Sequence, residues 1–205
     1  MAKLYFRYGA MNSGKSIEVL RTAHNYEEQG KSVMVFTPAI DNRYGKGQVT
    51  SRIGIQKPAT VLAEGTDIFG LVQQQAPDCI LVDEAQFLNK KQVEALCEVV
   101  DELGIPVIAY GLRADFRGQL FEGSYHFLAL ADQIEEVKTV CWHCRRKATM
   151  NMRLNNGIPV FEGAQIMIGG NESYLPVCRQ CYSKARKQTA LVQRGSAAAD
   201  SETEH

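Results

Sequence analysis

The sequence has no excess of either charge, since 23 Lys and Arg residues are matched by 23 Asp and Glu residues. Proteins that work on nucleic acid usually carry a basic excess or a basic stripe, so this balance argues against a nucleic-acid partner. No apolar run approaches the roughly 20 residues of a membrane-spanning helix, and the N-terminus, MAKLYFRYGA, does not have the form of a signal peptide. We therefore expect a cytoplasmic protein without a membrane partner. In that compartment paired cysteines more often bind metal than form disulfides.

The stretch GAMNSGKS at residues 9–16 has the form G-x-x-x-x-G-K-S of a phosphate-binding loop. An apolar run, KLYFRY, predicts a buried strand before it, and residues 15–30 have the spacing of an amphipathic helix that ends at Gly30. This context makes a chance glycine-rich turn a poor alternative. Backbone N–H groups of such a loop bind phosphates, its lysine bridges the β- and γ-phosphates, and its serine ligates Mg²⁺. The predicted phosphate-binding residues are Gly9, Ala10, Met11, Asn12, Ser13, Gly14, Lys15 and Ser16.

A second motif, CILVDEAQF at residues 79–87, predicts a buried strand that ends in two acids. The carboxyl ends of parallel strands form the edge at which ligands bind. Asp83 fits the acid that holds Mg²⁺, and Glu84 could then accept a proton from an attacking hydroxyl in a kinase or from water in an ATPase. If the phosphate-binding loop were absent, the alternative interpretation would be two acids at a strand end that contact only solvent.

The remaining N-terminal sequence alternates apolar strand patterns with amphipathic helix patterns. This alternation predicts an α/β fold with a mainly parallel sheet covered on both faces. Residues 39–57 are polar, glycine-rich and aperiodic, so we expect a long loop there. Its Arg43, Lys46 and Arg52 are cations that could contact phosphates.

Two cysteine pairs, Cys141 with Cys144 and Cys178 with Cys181, have the spacing of a four-thiolate zinc site. Four protein ligands close the coordination sphere, which predicts a structural metal; His143 is a possible substitute ligand. The long span between the pairs predicts a loop pinned by zinc, folded over a small ligand or, as an alternative, gripping nucleic acid. The composition also changes near residue 139. We predict a nucleotide-binding domain at 1–139, a zinc domain at 140–188 and a disordered tail at 189–205.

Taken together, the motifs resemble those of the zinc-containing (type II) thymidine kinases. The resemblance rests on GAMNSGKS, DNRY (41–44), DEAQF (83–87), YGLRADFRG (110–118), both cysteine pairs and IGGNESYLPVC (168–178), and it covers about residues 3–182. It implies a RecA-like core with a zinc domain that carries a lasso loop over the nucleoside. It also implies transfer of the γ-phosphate of ATP to the 5′-hydroxyl of thymidine or deoxyuridine, as a homotetramer inhibited by thymidine triphosphate.

By position, the resemblance makes Glu84 the general base. The ATP and Mg²⁺ set gains Asp83, Glu84, Ala85, Gln86 and Arg43 beside the phosphate-binding loop. Where many members have ALDG, this chain has GLRA at 111–114. The implied nucleoside-binding residues are Met11, Phe87, Leu112, Phe116, Ile166, Met167, Ile168, Gly169, Gly170 and Tyr174.

The residues themselves leave alternatives open. Phe87, Leu112 and Phe116 could be ordinary core residues, and Tyr174 could pack locally beside the zinc cysteines. A nucleic-acid-dependent ATPase with a zinc ribbon and a nucleotide switch without an acceptor are the rival functions.

Overall fold

A computed structural model describes residues 1–40, 47–166 and 174–202, with side chains as far as residue 191. It contains two sheeted parts, which individual hydrogen bonds join. The larger part comprises β1 (Leu4–Tyr8), α1 (Lys15–Glu28), β2 (Val33–Pro38), β3 (Gln48–Thr50), β4 (Gln56–Pro58), β5 (Thr60–Leu62), α2 (Ile68–Gln75), β6 (Cys79–Val82), α3 (Lys90–Leu103), β7 (Val107–Gly111), α4 (Glu122–Leu130) and β8 (Gln133–Glu136). The smaller part comprises β9 (Met150–Asn155), β10 (Ile158–Val160), β11 (Tyr174–Val177) and α5 (Arg179–Glu202).

A six-stranded sheet in the order β5-β2-β6-β7-β1-β8 forms the centre of the larger part, and all of its paired strands are parallel. The strands β6 and β7 are buried along their whole length, as strands covered on both faces must be. On one face Phe6, Phe36 and Leu96 belong to the core that α2, α3 and α4 cover. On the other face Val19 and Tyr110 pack in the core under α1. The predicted α/β fold with a parallel sheet is confirmed.

The predicted long loop at 39–57 is partly wrong, because β3 and β4 pair as an antiparallel hairpin. Val49 is 2% exposed and packs in the core under α1, which gives the short strand an apolar anchor that periodicity could not show. Residues 41–46, with Arg43 and Lys46, lie outside the described residues.

The smaller part is a three-stranded antiparallel sheet, in the order β10-β9-β11, followed by α5. Its core contains Met152, Val177 and Tyr182 beside two of the cysteines. The division at residue 139 stays a prediction. The disordered tail at 189–205 also stays a prediction; α5 extends from Arg179 to Glu202. Among the helices that the structure describes, none is long and apolar enough to cross a membrane.

Candidate active site and metal centre

The phosphate-binding loop joins β1 to α1 at the carboxyl edge of the central sheet. Gly14 has φ 88° and is the N-cap of α1, a left-handed conformation that glycine adopts without steric cost. Gly9 is needed for a different reason, since a Cβ there would lie 2.5 Å from the carbonyl oxygen of Val137. The loop therefore places the N-terminus of α1, with its exposed N–H groups and positive dipole end, at a site suited to an anion.

Lys15 opens α1 and is only 8% exposed. Its ammonium group donates hydrogen bonds to the carbonyl oxygen of Ala10 at 3.0 Å and to the hydroxyl of Ser13 at 3.4 Å. The lysine charge is thus held against the loop that would surround the phosphates. This position agrees with the role that the sequence predicts for it.

Asp83 follows β6 directly and is 5% exposed. Its backbone N–H donates to the carbonyl oxygen of Phe36 at 3.0 Å, which ties it to β2. Burial and the neighbouring Glu84 raise the pKa of Asp83, while a hydrogen bond from Ser16 and the charge of Lys15 oppose the rise. Ser16 and Asp83 therefore meet beside the loop, in the arrangement that holds Mg²⁺ in phosphate-loop enzymes.

Glu84 has φ 50° and ψ 36°, which is a left-handed conformation in a residue other than glycine. Such a residue stores about 1–3 kcal/mol of backbone strain, which is typical of functional sites. Gln86, in the following 3₁₀ turn (Ala85–Phe87), donates from Nε2 to the Glu84 carboxylate at 2.5 Å. Its Oε1 accepts the backbone N–H of Leu112 at 2.9 Å. The candidate base is therefore held in one orientation against the end of β7.

Gln86 also lines a cavity of about 260 Å³. The rings of Phe87 and Phe121 meet in its wall edge to face, with centroids 5.6 Å apart. Gln165 and Ile166 close it from the smaller part of the molecule. An aromatic cavity with a few polar groups at its edge suits a small flat ligand, and here one of those groups holds the candidate base.

The structure brings together only some of the predicted nucleoside residues. Phe87 and Ile166 line the cavity, whereas Phe116 is 1% exposed and is not among the residues of the described walls. The described walls do not include Met11, Leu112 or Tyr174. Four further residues lie outside the described residues: Met167, Ile168, Gly169 and Gly170.

The ATP and Mg²⁺ set is also only partly brought together. The side chain of Gln86 faces Glu84 and the cavity rather than the phosphate-binding loop. Ala85 is a buried part of the 3₁₀ turn, and its side chain offers no polar atom. Arg43 lies outside the described residues.

Phe121 was missed by sequence reasoning. It precedes α4 as the N-cap residue, and α4 itself was not predicted because EGSYHFLAL has no clear apolar stripe. The available signal was its aromatic ring, which comes five residues after Phe116 and just beyond the YGLRADFRG motif.

The four paired cysteines form a second site. Their sulfur atoms all lie within 4.8 Å of one another, and those of Cys144 and Cys178 are 3.7 Å apart. Tetrahedral Zn–S bonds of about 2.3 Å require sulfur–sulfur distances of about 3.8 Å. The backbone N–H of Cys181 donates to the Cys178 sulfur at 3.5 Å and lowers the pKa of that thiol. The four cysteines fit Zn²⁺, which would hold the segment before β9 and the start of α5 together. His143 is exposed and is not one of the clustered groups.

Two buried side chains tie this zinc centre to the phosphate-binding and nucleoside regions. Asn151 on β9 accepts the backbone N–H of Met11 at 2.8 Å and donates to the carbonyl oxygen of Ala114 at 3.0 Å. Tyr182, directly after the last zinc cysteine, donates from its hydroxyl to the carbonyl oxygen of Phe116 at 2.7 Å. The smaller part thus contributes to the geometry of the larger one.

Comparison with known proteins agrees with this arrangement. The family model described as thymidine kinase matches residues 2–182. The chain is 58% identical over 191 residues to a thymidine kinase of Lactiplantibacillus plantarum, covering 92% of this chain and 100% of that protein. It is 57% identical over 186 residues to thymidine kinases of Streptococcus gordonii and Lactococcus lactis, covering 90% of this chain and 97% and 98% of those proteins. The chain therefore belongs to the thymidine kinase family.

Proposed function

We propose that this protein transfers the γ-phosphate of ATP to the 5′-hydroxyl of thymidine or deoxyuridine, giving the nucleoside monophosphate. Membership of the family makes it a nucleoside kinase. The observation that carries the proposal is the position of Glu84. Glu84 directly follows Asp83, whose carboxylate accepts a hydrogen bond from Ser16, and its own carboxylate accepts a hydrogen bond from Gln86, a residue of the aromatic cavity wall. A base between a phosphate site and a nucleoside-sized cavity is what this transfer requires.

In this mechanism the chain's own groups position the reactants and stabilise charge. The loop N–H groups and Lys15 stabilise the negative charge that spreads over the transferring phosphoryl oxygens. Glu84 accepts the proton of the 5′-hydroxyl. At the same time the hydroxyl oxygen bonds to the γ-phosphorus, and the bond between that phosphorus and the β-phosphate oxygen of ATP breaks. Ser16 and Asp83 would hold Mg²⁺, which neutralises phosphate charge when it is bound.

The aromatic cavity would hold the base of the nucleoside. Phe87 and Phe121 supply apolar surface for a flat ring. A ligand that fills the cavity excludes water that would otherwise hydrolyse ATP. Met11, Leu112, Phe116 and Tyr174 remain predicted contacts of this ligand. Backbone recognition of the pyrimidine edge by about residues 166–170, and phosphate contact by Arg43, also stay predictions.

Zinc has a structural role in this proposal. Four cysteine ligands leave no open position for substrate or water. The family resemblance further leads us to expect a cytoplasmic homotetramer that is inhibited by thymidine triphosphate. Light scattering of the purified protein and inhibition assays with that nucleotide check the last two expectations.

The first experiment measures ADP release by the purified protein with ATP and Mg²⁺, adding each nucleoside in turn. We expect release that requires thymidine or deoxyuridine, with nucleoside monophosphate formed in equal amount. Release that ignores every nucleoside but rises with single-stranded DNA would show instead a nucleic-acid-dependent ATPase.

The base assignment is tested by Glu84→Gln, which keeps the size of the side chain and removes its basicity. We expect binding of both substrates to persist and kcat to fall by about 10²–10⁴, the usual contribution of a positioned base. Glu94→Gln, on the exposed surface of α3, is the matched control and should leave kcat unchanged. Near-normal turnover of Glu84→Gln would contradict the assignment.

A further inference from the structure

Arg153, in the middle strand of the smaller sheet, is a buried cation. It is 6% exposed and makes no ion pair within the described parts of the chain. Removing a charge from water costs several kcal/mol unless hydrogen bonds or other charges compensate. A neutral side chain would be the cheaper choice for packing alone, so the contacts of the guanidinium indicate what the residue does.

The guanidinium joins two segments that are distant in sequence. Its central carbon lies 3.7 Å from the ring centroid of Phe116, close enough for a strong cation–π contact. Nη1 donates to the carbonyl oxygen of Ala164 at 2.9 Å, and Nη2 donates to that of Glu162 at 2.6 Å. One planar group therefore holds both an aromatic ring that follows β7 and two carbonyls that follow β10.

These carbonyls directly precede the cavity wall. Gln165 and Ile166, which close the cavity, come immediately after Ala164. In the sheet, Arg153 is the register partner of Val160 on β10 and of Tyr174 on β11. The chain therefore leaves β10 on one side of Arg153 and returns in β11 on the other side. The guanidinium holds residues 162–164, which begin the connection between these two strands.

The backbone at Gly163 passes against the same group. A Cβ there would lie 2.6 Å from Nη2 of Arg153, and φ at this residue is 111°, where side chains are rarely found. The carbonyl of Gly163 in turn accepts a hydrogen bond from Arg117 at 3.2 Å. Residues 162–164 are thus fitted closely around Arg153.

We propose that Arg153 is a positioning residue for the nucleoside. It sets the place of the Gln165–Ile166 wall through the carbonyls of Glu162 and Ala164, and its contact with Phe116 fixes the guanidinium, without touching the substrate itself. The inference rests on the proposed function, since it assigns the cavity to the nucleoside. It predicts that loss of the guanidinium weakens nucleoside binding and leaves ATP binding unchanged.

The test compares Arg153→Lys with Arg113→Lys. Lysine keeps the charge and the stem but cannot donate to two carbonyls in one plane while it stacks on a ring. Arg113 is the matched control, because it also crosses between the two parts, donating to the Thr149 carbonyl at 3.5 Å and lying 5.4 Å over the Tyr8 ring. Among the described residues its contacts are to Thr149 and Tyr8 and not to residues 162–166, so its replacement should leave the nucleoside KM unchanged.

We expect Arg153→Lys to raise the KM for thymidine by about tenfold, the effect of losing about 1.4 kcal/mol of binding. The KM for ATP should stay within twofold, and the bound zinc measured by mass spectrometry should not change. A second variant, Gly163→Ala, keeps the arginine and displaces the backbone from it. Gly163 lies in an exposed segment, so the core should remain folded in this variant. It should raise the thymidine KM in the same way.

The possible results separate three conclusions. A thymidine KM within twofold of the unmodified protein in both variants would overturn the inference and leave the proposed function standing. A parallel rise of both KM values with loss of zinc would also overturn it, because the role would then be structural. Absence of thymidine-dependent ADP release by the unmodified protein would overturn the proposed function and the inference with it.

Discussion

A single methyl group added at Gly123 should disturb the candidate base more than it disturbs the fold. Gly123 lies in the first turn of α4, buried against the turn that carries Glu84, Gln86 and Phe87. A Cβ at this position would lie 2.8 Å from the carbonyl oxygen of Leu88 and 3.0 Å from that of Gln86, and closer still to that of Ala85. All three neighbours are backbone atoms, so none can rotate away.

The expected size of the effect follows from these distances. Ordinary contacts of a Cβ begin at 3.4 Å, so α4 and the turn must separate by about half to one ångström, and overpacking of this kind costs about 1–3 kcal/mol. The helix propensity of alanine over glycine returns about 1 kcal/mol. We therefore expect the unfolding free energy to fall by about 0–2 kcal/mol. A catalytic group displaced by about 1 Å can lose about 10² in rate, so kcat should fall by about ten- to a hundredfold.

Urea unfolding and steady-state kinetics of Gly123→Ala measure the two quantities separately. Gly70→Ala, in the first turn of α2, is the matched control. Its Cβ would meet the flexible carboxylate of Asp67 rather than backbone, so kcat should not change. A Gly123→Ala protein that is more stable by about 1 kcal/mol, as helix propensity alone requires, with normal kcat would refute the reasoning.

Three further predictions concern the groups that hold the site. Tyr182→Phe leaves the buried carbonyl of Phe116 without its donor and should lower the unfolding free energy by about 1–3 kcal/mol in urea titrations, whereas Tyr125→Phe, at a residue 58% exposed, should change nothing. Gln86→Met releases the Glu84 carboxylate and should lower kcat about tenfold or more with little change in the KM for ATP; unchanged kcat would show that the base needs no support. Removal of zinc by a strong chelator should lower the melting temperature and abolish thymidine phosphorylation, because the metal holds the start of α5 and with it Tyr182; Cys97→Ser, outside the cluster, should retain one zinc per chain.

The strand ends that carry the candidate site could be predicted because their signals are local. The phosphate-binding loop, the buried strand β6 and the acids after it each occupy fewer than ten consecutive residues, and the topology of parallel strands brings their ends together. The zinc cluster was predictable for a similar reason, since each cysteine pair is itself a local pattern.

The residues that connect these sites could not be predicted. Arg153 contacts Phe116, and Tyr182 reaches the carbonyl 66 positions before it, so neither contact leaves a pattern within a sequence window. The edge strand β8 was missed because QIEE is mostly exposed and has no apolar run. Hairpin strand β3 depends on one buried valine, which is too little for any periodicity.

The hydrogen bond between Met11 and Asn151 has a consequence for the synthesis of the protein. The two residues are 140 positions apart, and at about 5–20 residues per second a ribosome needs roughly 7–28 s to travel from one codon to the other. During that interval the Met11 amide lacks its native partner. The phosphate-binding loop of a nascent chain therefore reaches its final geometry only after β9 has been synthesised, and a truncated chain that ends before β9 would expose an unfinished loop.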